Sequence, residues 1–344
     1  MKIPVQNIFY LLCYAWNMLE EDDVVPVKKL DENNLLDFFG SQINKRTSYL
    51  LKRGLHRGYT EFNEDMRTIR GKIDFSSSLK RNLINQGKLQ CTYDELSYDV
   101  LTNQILKSTI GLLLKCEELD KQLHKELALL YLKLGEISDI EIRNKHFRLV
   151  QISRNIYSYD LIIRICELIH DNVLISEEDG STKFRDFIRD ERKMRSLFEA
   201  FVRNFYRKEQ QEYEVRSEII NWLATPYDEE SAERLPRMIT DTTLQSSLKK
   251  IIVETKFTVH TLMTSHRGKS KKIKSKDLYQ LFAYISNDDL PADKVEGILL
   301  YPTVDAEVDY NYEIHGHKVS VKTINLNQEW RGIHEDMLGF IGVN

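Results

Sequence analysis

Apolar positions recur at helical spacing through most of the first half of the chain. In 5–19 they fall at Ile8, Leu11, Leu12, Ala15 and Leu19, which lie on one face of an amphipathic helix. Pro26 and Val27 interrupt that pattern, and 31–55 carries a second, longer one. In 101–114 the stripe is Leu101, Ile105, Leu106, Ile110, Leu113 and Leu114, and 123–134 and 157–175 continue the helical reading. Between these helices the period changes. Thr68-Ile69-Arg70-Gly71-Lys72-Ile73-Asp74-Phe75 alternates and contains glycine, so 58–93 is expected to form short strands. The first half is therefore α+β, mostly helical with a small β part.

Ser176-Glu177-Glu178-Asp179-Gly180-Ser181-Thr182 is acidic, contains glycine and serine, and separates two helical segments. It marks the expected division into domains 1–180 and 181–344. Beyond it, Met194, Leu197, Phe198, Phe201, Val202 and Phe205 recur at helical spacing within 187–207. Glu199 sits at the edge of this stripe, with two readings: one that leans it towards a metal site, and the favoured one, a flanking surface charge. Residues 238–244 alternate, Gln245-Ser246-Ser247 is turn chemistry, and Ile251-Ile252-Val253 is a β-branched run. A hairpin is expected there, then a helix over 276–286 and an apolar strand over 295–301. The second half is a mixed α/β core with its site at the sheet edge.

Composition adds boundaries. At 344 residues, with 42% hydrophobic and 30% charged, the chain has an ordinary globular composition and can bury a sizeable core. Its net charge of −4 means that any nucleic-acid site is a local patch. Cys13, Cys91, Cys116 and Cys166 are scattered without a metal-ligand spacing, and Cys13, Cys116 and Cys166 fall in apolar helical stretches as buried thiols. His315-Gly316-His317 lacks a second pair to complete a metal site and reads as a turn. No apolar run approaches a membrane span and the N-terminus has no signal-peptide pattern, so the expected location is the cytoplasm.

The chemistry concentrates in 236–257. Side chains alternate across a strand, so Glu254 and Lys256 leave the same face, and the hairpin brings Asp241 towards them. Two carboxylates and an ammonium suit metal-assisted phosphodiester hydrolysis. Mg²⁺ takes one or two carboxylates plus water and phosphate oxygens, and a nearby lysine stabilises developing charge. Segment 266–276 carries six Lys/Arg and no acid in a net-acidic chain. Beside such a site, Arg267, Lys269, Lys271, Lys272 and Lys274 are candidates for phosphate contact by a flexible loop. Gly268-Lys269-Ser270 lacks the glycine that a P-loop requires five residues earlier, where Met263 stands, so no nucleotide site is assigned. Gln280 and Tyr284 share a helix face at i, i+4.

Asp241…Glu254-Thr255-Lys256 followed by Gln280-x-x-x-Tyr284 resembles the PD-(D/E)xK nuclease core. More closely, the chain resembles the McrC family, nuclease subunits of McrBC modification-dependent restriction systems. The resemblance rests on Ile3-Pro4-Val5-Gln6-Asn7-Ile8-Phe9-Tyr10 with Tyr14-Ala15-Trp16, on Gly71-Lys72-Ile73-Asp74-Phe75, and on Thr102-Asn103-Gln104-Ile105-Leu106-Lys107-Ser108-Thr109. It continues at Leu235-Pro236-Arg237-Met238 to Asp241, Leu278-Tyr279-Gln280-Leu281, Leu300-Tyr301-Pro302 and Asn327-Gln328-Glu329-Trp330. It implies a PD-(D/E)xK endonuclease domain in 181–344 and a partner-binding, GTPase-stimulating domain in 1–180. It further implies an AAA+ GTPase partner of the McrB kind, which supplies GTP hydrolysis and recognition of modified cytosine in double-stranded DNA. Asp241 and Glu254 fall on the family's Mg²⁺ ligands, Lys256 on its catalytic lysine and Gln280 on the fold's helix glutamine. Asp241 does not directly follow a proline, so Pro236 is assigned no chemistry. A second reading is a non-cutting adaptor that regulates an AAA+ NTPase and grips DNA, and the intact acidic–acidic–lysine set argues against it.

Overall fold

The computed structural model describes residues 3–18, 35–175, 182–185, 187–225, 228–257, 262–264, 271–304 and 307–343. The chain forms two compact units. One comprises Met1–Asn33 together with Phe187–Asn344, and the other is Asn34–Asp186. The first helix, α1 (Val5–Ala15), thus belongs with the C-terminal half.

The intervening unit contains helices α2 (Leu35–Arg53), α3 (Phe75–Lys80), α4 (Leu101–Leu113), α5 (Lys121–Lys133), α6 (Asn144–Leu149) and α7 (Asp160–Asn172). Its strands are β1 (Gly58–Met66), β2 (Lys72–Asp74), β3 (Leu89–Ser97), β4 (Val173–Ile175) and β5 (Thr182–Phe184). α2 is set up by Asp37 in its first turn and Lys52 and Arg53 in its last, each opposing the helix dipole. α5 starts where the Asp120 carboxylate accepts from the amides of Gln122 and Leu123. Leu36, Phe39, Ile43, Ile105, Ile110, Ile162 and Ile165 are fully or almost fully buried among these helices.

The expected short strands form a three-stranded antiparallel sheet, ordered β1-β3-β2. Asn103 holds it to the helices: its Nδ2 donates to the carbonyls of His56 (2.9 Å) and Tyr98 (2.7 Å), and its Oδ1 accepts from the Tyr159 hydroxyl (2.7 Å).

The expected boundary over 176–182 differs from what forms. Residues 176–181 lie outside the described residues, and their flanks pair as the antiparallel strands β4 and β5, with Ile175 opposite Thr182. The strands that flank the segment thus pair within this unit, and the division falls after Asp186.

The second unit continues with α8 (Glu191–Glu209), β6 (Glu214–Arg216), β7 (Ile219–Ile220), α9 (Glu229–Arg234), β8 (Met238–Ile239), β9 (Thr242–Gln245) and β10 (Lys250–Thr255). There follow β11 (Leu262–Thr264), β12 (Lys271–Ile273), α10 (Ser275–Ser286), β13 (Val295–Thr303), β14 (Asp309–Ile314), β15 (His317–Asn325) and α11 (Trp330–Ile341). Six strands make one mixed sheet, ordered β14-β15-β13-β10-β9-β6, with β10, β13 and β15 parallel. β10 and β13 are central and almost wholly buried, which explains their unbroken apolar runs. The site therefore lies at the end of a central strand and not at the sheet edge. His315 (φ 50°) and Gly316 (φ 83°) form the turn between β14 and β15.

α1 packs on α8 through aromatic contacts of Tyr10 with Phe201 and of Tyr14 with Phe201 and Phe205. Polar groups fix its seat. Asn7 Nδ2 donates to the carbonyls of Leu326 (2.8 Å) and Gln328 (2.7 Å). Asn204 Nδ2 donates to those of Tyr14 and Ala15, and the Tyr14 hydroxyl donates to Glu209 at 2.8 Å. A chain beginning at residue 181 would leave Phe201 and Phe205 without this cover, at about 1.5 to 3 kcal/mol for each side chain returned to water. Such a chain is expected to melt well below the full-length protein, and a peptide of residues 3–18 added in trans should restore part of the loss. Equal melting temperatures with and without the first 18 residues would contradict this packing.

Candidate active site

The two arms of the 236–257 hairpin reach the site differently. The first arm is broken: β8 pairs with β7, and only from Thr242 onward does the chain join the main sheet against β10. At the break, the Thr240 amide donates to the Glu218 carbonyl (3.0 Å) and its hydroxyl meets that of Thr243 (2.9 Å). Asp241 sits at this bend. Its Oδ2 accepts from both the amide (2.8 Å) and the hydroxyl (2.7 Å) of Thr255, on the neighbouring arm.

The second arm runs straight. β10 is followed by Lys256, whose amide donates to the Leu300 carbonyl (2.9 Å) and so carries the parallel ladder with β13 one residue further. Ile252 lies in the apolar cluster with Leu281, Ile285, Leu299 and Tyr301, and Glu254 leaves the same face of the strand. α10 can lie close here because Gly297 has no side chain: a Cβ there would stand 3.0 Å from Leu281 Cδ2.

The polar groups form a chain. Lys256 Nζ donates to Glu254 Oε1 (2.5 Å) and to Gln280 Oε1 (2.9 Å), and Gln280 Nε2 donates to the Tyr284 hydroxyl (2.7 Å). Having a donor on one side and an acceptor on the other fixes the orientation of the glutamine amide. The Glu254 side chain is 1% exposed, and its Oε2 has no hydrogen-bond partner. Burial, and then the nearby charge of Asp241, push its carboxyl up to about 7, against the pull of Lys256.

Glu199 belongs to this neighbourhood, in line with the less favoured of its two readings. Burial and the Asp241 carboxylate raise its proton affinity, and Lys256 is also among the charges it senses. Arg203, one turn further along α8, donates from Nη1 both to Glu199 Oε1 (3.1 Å) and to the Asp241 carbonyl (2.8 Å). Phe198 of the same helix meets Phe257, immediately after Lys256. The i, i+4 spacing of Glu199 and Arg203 was visible in the sequence, but only the fold reveals what the arginine reaches. Pro236 has a structural contact: its carbonyl accepts from the Trp222 indole at 2.6 Å.

The structure thus brings Asp241, Glu254, Lys256 and Gln280 together. Only part of the basic segment falls within the described residues. Arg267 and Lys269 lie outside the described residues. Lys271 and Lys272 are in β12, which pairs antiparallel with β11, so part of the expected loop is strand, and Lys274 immediately precedes α10.

Among the described residues no three His, Cys, Asp or Glu side chains are arranged as a metal cage. The donor set nevertheless fits Mg²⁺, which needs only one or two carboxylates. The fit rests on the unpartnered Glu254 Oε2, a buried acceptor beside Asp241.

A family model described as "McrBC 5-methylcytosine restriction system component" matches residues 5–302. The chain belongs to this family. It is 35% identical over 337 residues to the Type IV methyl-directed restriction enzyme EcoKMcrBC of Escherichia coli (strain K12), covering 98% of this chain and 96% of that relative. Its fold is similar to that of a chain from the assembly of Thermococcus gammatolerans McrB AAA+ hexamers with bound McrC. There the TM-score is 0.61 at 16% identity, over 98% of this chain and 76% of that one. Family membership covers both compact units. No helix among the described residues is long and apolar enough to cross a membrane.

The buried Glu254 makes stability depend on pH. Unfolded, its carboxyl titrates near the ordinary 4.5, and folded it titrates at about 7. The cost of ionising it is therefore absent below pH 4.5, grows as pH rises towards about 7, and levels off at roughly 3 kcal/mol above that. With divalent ions chelated, Glu254→Gln should melt above wild type at about pH 8, and the gap should close as pH falls towards 4.5. Thermal unfolding across that range checks it, and a gap independent of pH would contradict the burial argument.

Proposed function

We propose that the protein is the DNA-cleaving subunit of a GTP-dependent restriction complex directed at modified cytosine, hydrolysing phosphodiester bonds with Mg²⁺. The observation that carries this reading is the convergence, at the end of β10, of Asp241 and Glu254 with Lys256, whose ammonium is held between Glu254 and Gln280. The mixed sheet with its helices supports a PD-(D/E)xK core. The family description names a 5-methylcytosine restriction system, and the relative from Escherichia coli is a methyl-directed restriction enzyme.

In this reading Asp241 and Glu254 hold the cation. When bound, it would polarise the phosphoryl group and lower the pKa of a coordinated water. Thr255 aims the Asp241 carboxylate by taking up Oδ2. Lys256 directs its ammonium at charge developing on the phosphate, and Gln280, braced by Tyr284, prevents that ammonium from rotating away. The basic segment around Lys269, Lys271, Lys272 and Lys274 grips phosphates without reading bases.

Recognition and GTP hydrolysis come from an AAA+ partner of the McrB kind. The similar fold in Thermococcus gammatolerans occurs in an assembly of McrB AAA+ hexamers with bound McrC. The unit Asn34–Asp186 is the proposed partner-binding and GTPase-stimulating part.

Asp241→Ala, Glu254→Ala and Lys256→Ala should each abolish cleavage by the complex, while stimulation of the partner's GTP turnover stays near wild type. Gln280→Ala should retain partial activity, because it removes orientation and not a ligand. A variant of the first three that still cut at more than about one-hundredth of the wild-type rate would remove that residue from the assignment. Changing Lys269, Lys271, Lys272 and Lys274 to Ser should flatten the slope of log affinity against log salt by about three, without moving cleavage positions. An unchanged slope would show that these lysines do not touch phosphate.

A further inference from the structure

We infer that Arg203 is a positioning residue for Asp241, holding the backbone bend that presents this carboxylate beside Glu254. The inference rests on the nuclease reading above.

Asp241 lies where the chain leaves the β7–β8 pair and enters the main sheet, and the β9–β10 register begins only at Thr242 opposite Val253. The carbonyl of Asp241 thus falls outside the ladder, and Arg203 Nη1 donates to it at 2.8 Å. The two Thr255 contacts orient the carboxylate but do not hold the main chain at the bend. Thr240, one residue earlier, is held by Glu218 and Thr243, and Arg203 adds a constraint on the Asp241 carbonyl itself from a different element.

The arginine is itself held. Glu199 Oε1 accepts from the same nitrogen at 3.1 Å, one turn earlier on α8. The helix beneath is anchored by Leu197, Phe198, Phe201 and Val202, all buried. A guanidinium is planar and permanently charged, so it bridges two acceptors in fixed geometry, which a more mobile ammonium does not. The side chains of Arg203 and Glu199 are 22% and 34% exposed, so their attraction is partly screened. The pair's contribution is therefore the placement of one carbonyl, with little added stability. Groups that orient metal ligands are worth about 10- to 100-fold in metal affinity or activity when removed.

Two measurements on the full-length protein test this. Mn²⁺ is titrated into the metal-free chain with free Mn²⁺ read by electron paramagnetic resonance, and cleavage by the complex is followed as Mg²⁺ is varied. Arg203→Met should weaken Mn²⁺ binding and raise the Mg²⁺ needed for half-maximal cleavage, each by about tenfold or more, at an unchanged melting temperature. Arg203→Lys, able to reach one of the two acceptors, should recover part of both losses.

Wild-type Mn²⁺ affinity and Mg²⁺ dependence in Arg203→Met would overturn the inference. So would losses that track a fall in melting temperature and are not lessened in Arg203→Lys. Asp241→Ala separates the two claims. If it binds Mn²⁺ as wild type does, the nuclease site itself is wrongly placed. If it loses binding while Arg203→Met keeps it, only the role of Arg203 falls.

Discussion

A carboxylate buried at the end of a central strand is the constraint on which the C-terminal unit depends. Removing an ion from water costs about several kcal/mol even after relaxation, and Glu254 is 1% exposed. Lys256 offsets part of that cost through the 2.5 Å contact, but it can do so only if its own ammonium is held. Gln280 and Tyr284 hold it, and they reach it because Leu281 packs directly on Gly297. The seat of α10 against the sheet is therefore a requirement of the buried charge as much as of the apolar core. Within this group of contacts, one oxygen of Glu254 is left without a hydrogen-bond partner.

α8 links this site to the rest of its unit. Neighbouring residues of the helix point in different directions: Arg203 to the Asp241 carbonyl, and Asn204 to the carbonyls that end α1. Phe201 and Phe205 meet the tyrosines of α1, and Tyr206 donates its hydroxyl to the Met337 carbonyl of α11. Burial raises the proton affinity of Tyr10, Tyr14 and Tyr206, so these hydroxyls stay neutral donors. A helix surrounded by such contacts cannot shift along its axis without breaking several at once.

The parts of the fold that were legible from sequence rest on local pattern. The run Ile251-Ile252-Val253 announces β10, and strand alternation alone puts Glu254 and Lys256 on one face. Helices α4, α8 and α10 follow from their apolar stripes. Pairing at long range was not legible. Nothing in 5–19 says that its apolar face is to be covered by residues nearly two hundred positions later, and a cut at 180 followed from reading an acidic, glycine-containing stretch as a linker, although the strands on either side of it pair with each other. The two readings of Glu199 could not be separated for a related reason. An acid beside an amphipathic stripe has the same pattern whether it meets solvent or another carboxylate. Thr255 was passed over because it lies between two more reactive neighbours, although its amide and hydroxyl both serve Asp241.

The clasp on α1 also has a bearing on how the protein is made. The Asn7 amide is completed by the carbonyls of Leu326 and Gln328, separated from it by 319 and 321 positions. A ribosome adding about 5 to 20 residues per second reaches those carbonyls only after tens of seconds. Until then the Asn7 amide lacks its acceptors, although α8, which covers the tyrosines of α1, has already been made, and the unit that bears Asp241 and Glu254 lacks its closing elements. A translation product interrupted between Asp186 and Leu326 therefore carries the intervening unit whole and the unit that bears Asp241 and Glu254 unfinished, so that the latter matures last.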